Sequence, residues 1–506
     1  ELWAAFRKDI EMEAEAVDGR FLGCNHETFI GRVSDVKELL IHHPDYVGRG
    51  EGTYVSEDGP AQAGTKTAAG KAVYEFDEDR KVVGKIYNMQ DFVEQCLKSY
   101  CELTGISEES IKPMPTPFLD ESKDPFEVIG DTSDKPKGKV PVPARKVGKQ
   151  RKTAVRSGPK GHTTDNDYTD NESSEDEENP KGQLAKIAAK VLMKTMYCGR
   201  LGRIDLMRAI ARLAQDVSKW TPLCDQKLHR VMQYLKYSKE YRQVGFIGDP
   251  PEELRLCLYT DADFAGDKSK NRSTSGVFLA ICGRNSFFPL TGISKKQGCV
   301  SHSTPEAEIV AMDFGVRTVG LPALFLWEVI LGHVDLDEKG NRTPRPNRAP
   351  IGVNVYQDNT ATSRIAWTGK APTLRHIKRT HGVCISWLNE RIHSDDIELT
   401  DCHTDAQAGD IFTKHFTSKD KWQHNLTLIG ITLKPLWGKL ERVESNETTK
   451  QPARKGSNNN KVRVAPAVPV VKKLVRIAVV VSAVLAPFAA PQTAMAEKAE
   501  PTRLPG

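Results

Sequence analysis

The sequence predicts an α/β fold, a mixed sheet flanked by helices, and three observations predict it. Strand-like and helix-like patterns alternate in the order βββ-α-β-α-β-α between Leu254 and Phe416, which suits one sheet with helices on its faces. Leu254, Leu256 and Leu258 alternate with polar or small residues, the period of a half-buried strand. That strand runs into Asp261 and Asp263, which share a face because strand side chains repeat every two residues. The run Ser303–Glu306 (STPE) combines a hydroxyl N-cap, an early proline and a first-turn glutamate, the signature of a helix start.

Length and composition frame the rest. With 506 residues the chain has room for two or three domains. A net charge of +5 is slight for that length, so charge alone does not announce a nucleic-acid binder. Ten cysteines without a CxxC pair argue against a zinc ribbon or a disulfide framework, and a reducing compartment, cytoplasmic or nuclear, is the simplest reading. The chain opens on Glu1 instead of methionine, as a fragment or processed piece would.

Residues 1–125 read as a mixed α/β piece. Arg20–Cys24 (RFLGC) is a strand candidate, and Met89–Tyr100 places Phe92, Val93, Cys96 and Leu97 at helical spacing before Gly105 stops it. Residues 126–182 form a linker in which a basic block (Lys135 to Lys152) precedes an acidic one (Asp165 to Glu178). Few large apolar residues lie there, so no core offsets the entropy of ordering the backbone; a self-neutralising spacer is favoured over a nucleic-acid tether. Residues 183–250 are helical: Leu184, Ile187, Ala188, Val191 and Leu192 form one stripe, with further helices at Ile204–Val217 and Lys227–Tyr237, the last ending just before the acidic strand.

Residues 251–432 carry the most information. After the first strand come RSTSGVFLAICG and GCVSHS, strand-like runs separated by Asn285–Gly292. The helix from Ser303 is expected to run until Gly320–Pro322 interrupts it. Val353–Tyr356 is a strand ending at Asp358, and Arg375–Arg391 a helix with Ile377, Cys384, Trp387 and Leu388 inward. Ile397–Thr400 is a last strand and Ala406–Phe416 a helix holding Asp410. Residues 433–506 form a low-complexity tail. Its uncharged stretch 477–496 follows Lys472, Lys473 and Arg476 and is long enough to span a bilayer, but its prolines and alanines favour a plain tail over a membrane anchor.

Asp261, Glu306, Glu308, Asp358 and Asp410 thus sit at strand ends, a helix start and a late helix. Hard oxygen ligands from several elements suit Mg2+ or Mn2+ better than zinc. Two such ions about 4 Å apart can activate water and stabilise the leaving oxygen in phosphodiester cleavage. Singly, each position also fits the ordinary enrichment of acids at helix N-termini.

The motifs TDADFAGD, RSTSGVF, SKKQ, SHSTPEAEIVA, QDN, RHIKRTH and GDIFTK, in this order across Leu254–Gly430, closely resemble the ribonuclease H domain of copia-type retrotransposon polyproteins. LHRVMQYLKYS and LMKTMYCGRLGRIDL resemble the segments joining that domain to reverse transcriptase. RFLGC and the MQDFVEQCLKSY…PTP run look like the end of the reverse transcriptase itself. The resemblance implies a ribonuclease H-like sheet over 251–432, a connection over 183–250 and a reverse-transcriptase remnant over 1–125.

It further implies a quartet of Asp261, Glu308, Asp358 and Asp410 holding two Mg2+ ions and cleaving the RNA strand of an RNA–DNA hybrid, as part of a larger polyprotein. Glu308 is preferred to Glu306 because it directly precedes the apolar IVA run; Asp263 and Glu306 are then outer or solvated. Gly409 stands where the family carries alanine, and inside a helix it would cost about 1 kcal/mol. The polymerase motif, an aromatic residue and two adjacent aspartates in a hairpin, is missing, so polymerase activity is not expected. His403 is a candidate for assisting proton transfer, against a plain surface histidine. Arg375, Lys378 and Arg379, beside His376 and His381, with Lys295 and Lys296, are the candidate phosphate contacts. Two other readings stay open: a decayed nucleic-acid-binding remnant, and a tail-anchored membrane protein.

Overall fold

The structure is a computed structural model that describes residues 19–40, 55–56, 59–60, 77–120, 181–267, 271–336, 342–345, 351–394 and 396–442. The expectations for most of the linker and for the 477–496 stretch fall outside these residues. Gly19–Phe21 (β1) and Cys24–Arg32 (β2) pair antiparallel. RFLGC is therefore a hairpin and not one strand. The chain reverses at Leu22 and Gly23, with φ of 49° and 85°; glycine takes up the second of these left-handed positions freely, while the leucine is strained by about 1 kcal/mol. Lys81–Asn88 (β3) pairs with β2, and Gln90–Thr104 (α1) follows as expected, burying Val93, Cys96, Leu97 and Tyr100. Gly105, at φ 74°, ends α1 in the left-handed conformation.

Three helices occupy the next segment: Ala188–Leu201 (α2), Met207–Ala214 (α3) and Pro222–Tyr237 (α4). A strand absent from the sequence reading, Arg242–Ile247 (β4), stands between α4 and the acidic strand. All six of its residues are buried, so it carries no alternation to read.

The central strands are Arg255–Asp267 (β5), Arg272–Gly283 (β6) and Ser286–Lys296 (β7). Leu256, Cys257, Leu258 and Tyr259 are all buried, so β5 is covered on both faces and not half-exposed. Strand β7 replaces the expected break at Asn285–Gly292, whose proline and glycine have other work. Pro289 sits where the β6–β7 register shifts, a place that needs no regular N–H, and Gly292 leaves room for the Phe412 ring. GCVSHS is no strand; it bends from β7 into the next helix.

Thr304–Gly315 (α5) begins where the STPE run placed it, with the Ser303 hydroxyl accepting from the Glu306 N–H. Gly320–Pro322 does not end it. A wider π turn over Val316–Gly320 leads directly into Leu321–Leu331 (α6), which buries Trp327 and stops at Gly332 with φ 69°. These 28 residues are apolar and long enough to cross a membrane, yet 56% of their most apolar window is buried inside the protein, as in a core helix.

Val353–Gln357 (β8), an unforeseen helix Thr360–Thr368 (α7), Ile377–Thr380 (α8), Ile385–Ile392 (α9) and Ile397–Asp401 (β9) follow. The single helix expected over Arg375–Arg391 is broken at Gly382, whose φ of 71° terminates α8. Ile377 and Leu388 are buried as expected, whereas Cys384 and Trp387 are half-buried. Ala406–Phe416 is not an α-helix but two single 3-10 turns, Thr404–Ala406 and Asp410–Phe412, ahead of Lys419–Leu428 (α10). Gly409 therefore carries no helix-interior cost.

The strands join in the order β1-β2-β3-β4-β7-β6-β5-β8-β9 within an eleven-stranded sheet. Ile431–Thr432 adds to β4 and Glu441–Arg442 to β2. Strands β5, β8 and β9 run parallel, while β6 and β7 are antiparallel to their neighbours, so the sheet is mixed. This α/β architecture, a large mixed sheet flanked by helices, is compatible with a ribonuclease H-like fold. The described residues up to Leu119 and from Lys181 onward form one compact unit.

The seat of Phe412 against β7 has a measurable consequence. Gly292→Ala puts a methyl group into the space of that ring, and overpacking of this kind costs about 1–3 kcal/mol. Denaturant unfolding should show that loss; unchanged stability would mean that the ring lies elsewhere.

Candidate metal centre

Backbone register brings the carboxylates together. Tyr356 on β8 pairs in parallel with Tyr259 on β5, so Asp358, two residues on, comes level with Asp261. Asp261 in turn faces Gly276 across β6. Helix α5 packs against β5 and delivers Glu308 from its second turn. Asp261, Glu308 and Asp358 each offer an oxygen, and the three lie within 4.8 Å of one another. Asp261 and Glu308 are buried, and Asp358 is half-buried.

The fourth acid arrives on an irregular loop. Gly276 has no side chain because a Cβ there would lie 2.6 Å from the Gly409 carbonyl and 2.6 Å from the Thr413 methyl. The loop 409–414 packs into that notch. The Thr413 hydroxyl donates to an Asp261 carboxylate oxygen, and the Asp261 charge acts on the neighbouring Asp410. Lys414, one helical turn on, places its ammonium 2.6 Å from Asp410 Oδ1 and 3.8 Å from Asp261 Oδ1. Gln357 donates from Nε2 to Glu308 Oε2 at 3.2 Å and fixes that side chain. Thr413, Lys414 and Gln357 were not singled out from sequence; the four-residue spacing of Asp410 and Lys414 was the available signal.

Crowded, dry carboxylates hold protons. Burial, then the charges of Asp261 and Asp358, push Glu308 up to about 9. Burial and Asp261 raise Asp410 to about 8 against the pull of Lys414. Asp261 is raised too, chiefly by burial, with Lys414 and Thr413 opposing. Burial alone would lower the Lys414 ammonium, but Asp261 and Asp410 outweigh it and raise it. The all-oxygen donor set, already drawn together at the cost of like-charge repulsion, fits a hard divalent cation.

The other expected residues are placed differently. Asp263 is not merely solvated: its carboxylate lies 3.3 Å from the buried guanidinium of Arg208 on α3. Glu306 is fully buried and so is not solvated. Its Oε2 accepts from the His302 N–H at 2.9 Å and its Oε1 bonds His376 Nε2 at 3.0 Å. His381 Nε2 lies 3.3 Å from the same oxygen without hydrogen-bond alignment. The two histidines thus turn inward to Glu306, while Arg375, Lys378 and Arg379 on the same segment are exposed. Lys295 and Lys296 are half-buried, and the Lys295 ammonium sits over the Phe314 ring at 4.4 Å. His403 is 66% exposed and accepts from the Asp405 N–H at 3.2 Å within its own turn. All ten cysteines are free.

A pH dependence follows from the raised acids. The folded chain keeps protons on Glu308 and Asp410 that the unfolded chain, near 4.5 and 3.8, has released. With a chelator present, stability should therefore fall as pH rises from about 4.5 toward about 9. Asp261→Asn removes one of the repelling charges and should flatten that fall, raising the melting temperature by roughly 1–4 °C at pH ~8. Thermal scans across pH check both, and a wild-type melting temperature that rises through this window would contradict the raised values.

Comparison with known proteins places the chain. Over 234 residues it is 27% identical to the Retrovirus-related Pol polyprotein from transposon RE1 of Arabidopsis thaliana, covering 46% of this chain and 14% of that protein. The corresponding polyprotein from transposon TNT 1-94 of Nicotiana tabacum is 24% identical over 263 residues, half of this chain and 17% of its own length. The Secreted RxLR effector protein 161 of Plasmopara viticola is 35% identical over 121 residues, which are 23% of this chain and 78% of that protein. No protein-family model and no solved structure matches. The matched region is about a seventh of one transposon polyprotein's length and a sixth of the other's, 14% and 17%. About half of the chain is thus similar, at 24–27% identity, to retrovirus-related Pol polyproteins of copia-type transposons.

Proposed function

We propose that this chain is the ribonuclease H part of such a polyprotein and hydrolyses the RNA strand of RNA–DNA hybrids. The observation that carries the reading is the convergence of Asp261, Glu308 and Asp358 to within 4.8 Å, with Asp410 tied to Asp261 through the Lys414 ammonium. In this reading Asp261, Glu308, Asp358 and Asp410 hold two Mg2+ ions, with Mn2+ a substitute. Ions bound there supply activation of a water molecule and stabilisation of the departing 3′ oxygen, leaving a 5′ phosphate.

The chain's own residues do the rest. Thr413 orients the Asp261 carboxylate, Gln357 orients Glu308, and Lys414 neutralises charge between Asp410 and Asp261. Arg375, Lys378 and Arg379, exposed on the segment clamped to Glu306, meet the phosphate backbone. Hybrid is distinguished by its 2′-hydroxyls and groove shape, not by base sequence. His403 stays a surface residue in this mechanism.

The test is cleavage of an end-labelled hybrid by the whole chain with Mg2+. Glu308→Gln should abolish turnover. Glu306→Gln should retain turnover at saturating hybrid yet weaken hybrid binding and cost about 1–3 kcal/mol of stability, because it removes a buried charged acceptor. Equal losses of turnover from the two substitutions would mean that Glu306 is a ligand.

Lys378→Ala with Arg379→Ala should raise KM, leave kcat nearly unchanged and reduce the salt slope of hybrid binding by about one unit for each phosphate no longer neutralised. A salt titration of the double variant checks this. An unchanged slope would move the nucleic-acid path to another face.

A further inference from the structure

The 183–250 segment has no part in that mechanism, yet one of its side chains reaches the carboxylate loop. Arg208, on α3, is 2% exposed. Its Nε donates to the Thr413 carbonyl at 2.7 Å, and its Nη2 lies 3.3 Å from Asp263 Oδ2. Thr413 is the residue whose hydroxyl donates to Asp261 and, at 3.1 Å, contacts the Asp410 carbonyl. We infer that Arg208 is a positioning residue for the carboxylate site, so that the segment before β5 completes a site otherwise built from residues 255–414. This inference rests on the function proposed above.

Physical chemistry favours an arginine with a task over one that fills space. Its neighbours on α3, Ala209, Ile210 and Leu213, supply ordinary apolar packing. Burying a guanidinium among them is costly unless its donors are engaged. The loop it grips has little rigidity of its own. Asp410–Phe412 is a single 3-10 turn, held locally by Phe412 N–H to Gly409, Thr413 N–H to Asp410 and Lys414 N–H to Asp410. Its placement therefore depends on outside anchors: the notch at Gly276, the Phe412 ring over Gly292, and Arg208. A planar fork spanning a carbonyl on the loop and a carboxylate on β5 fixes the loop's angle against the strand that bears Asp261. Lysine could offer its charge to Asp263 but not that two-point geometry.

The experiment uses the whole chain with Arg208→Met, Arg208→Lys and the milder Asp263→Asn, which leaves the arginine in place. In Arg208→Met, amide hydrogen exchange should accelerate about tenfold across 409–414 while β6 stays protected. Turnover of hybrid should fall about 10–100-fold with KM nearly unchanged, as displacement of a catalytic group by a fraction of an ångström does. Arg208→Lys should recover part of both. Asp263→Asn should show the same local exchange on a smaller scale, which decides the matter if Arg208→Met fails to fold. Exchange at 409–414 equal to wild type, or an increase spread over β6 as well, would overturn the inference. Variants that exchange as described beside a wild-type chain that cleaves no hybrid would instead sink the proposed function and leave the positioning role standing.

Discussion

Four carboxylates gathered in a largely dry space beside the middle of strand β5, which runs on past Asp261 to Asp267, are the constraint on which the structure turns. Like charges at this spacing oppose the fold, and a protein interior offers little dielectric relief. Each surrounding feature answers that opposition or creates it. The parallel register of β5 and β8 brings Asp358 beside Asp261, and the Ser303 cap sets the turn of α5 that carries Glu308. Lys414, Thr413 and Gln357 supply the few compensating contacts. Protons on Glu308 and Asp410 supply the remainder, and a divalent cation can take their place.

The sheet that bears this cluster is larger than the cluster needs. Strand β4 joins β7 on one side and β3 on the other, so the strands near the N-terminus and the acidic strands share one sheet and one core. That continuity places α3 against β7 and brings Arg208 to the carboxylate loop. A site that looks self-sufficient along the sequence thus leans in space on residues that precede it.

Much of this was legible in the sequence, and the remainder was hidden for physical reasons. The strand at Asp261, the helix start at Ser303 and the strand ending at Asp358 could be read because caps and periodicity are local. Strand β4, buried throughout, has no alternation to read, and β7 carries Pro289 and Gly292, which look like breakers until the bulge and the Phe412 ring are seen. Gly320–Pro322 seemed to close a helix because a π turn leaves no simple spacing signal. Glu306 looked solvated because its partners, His376 and His381, lie seventy or more residues on and meet it only in the folded chain. Asp410 was expected on a helix, but its helix is not there: the 409–414 loop is held from outside and not by its own periodicity.

The most direct test of the central claim is calorimetric titration of Mn2+ into the whole chain at pH ~7.5, repeated in buffers of different ionisation enthalpy. If the buried acids form a cation site, Mn2+ binds and releases protons from Glu308 and Asp410, and the apparent enthalpy varies with the buffer. Absence of binding, or binding with no buffer dependence, would contradict a site whose carboxylates hold protons until a cation replaces them.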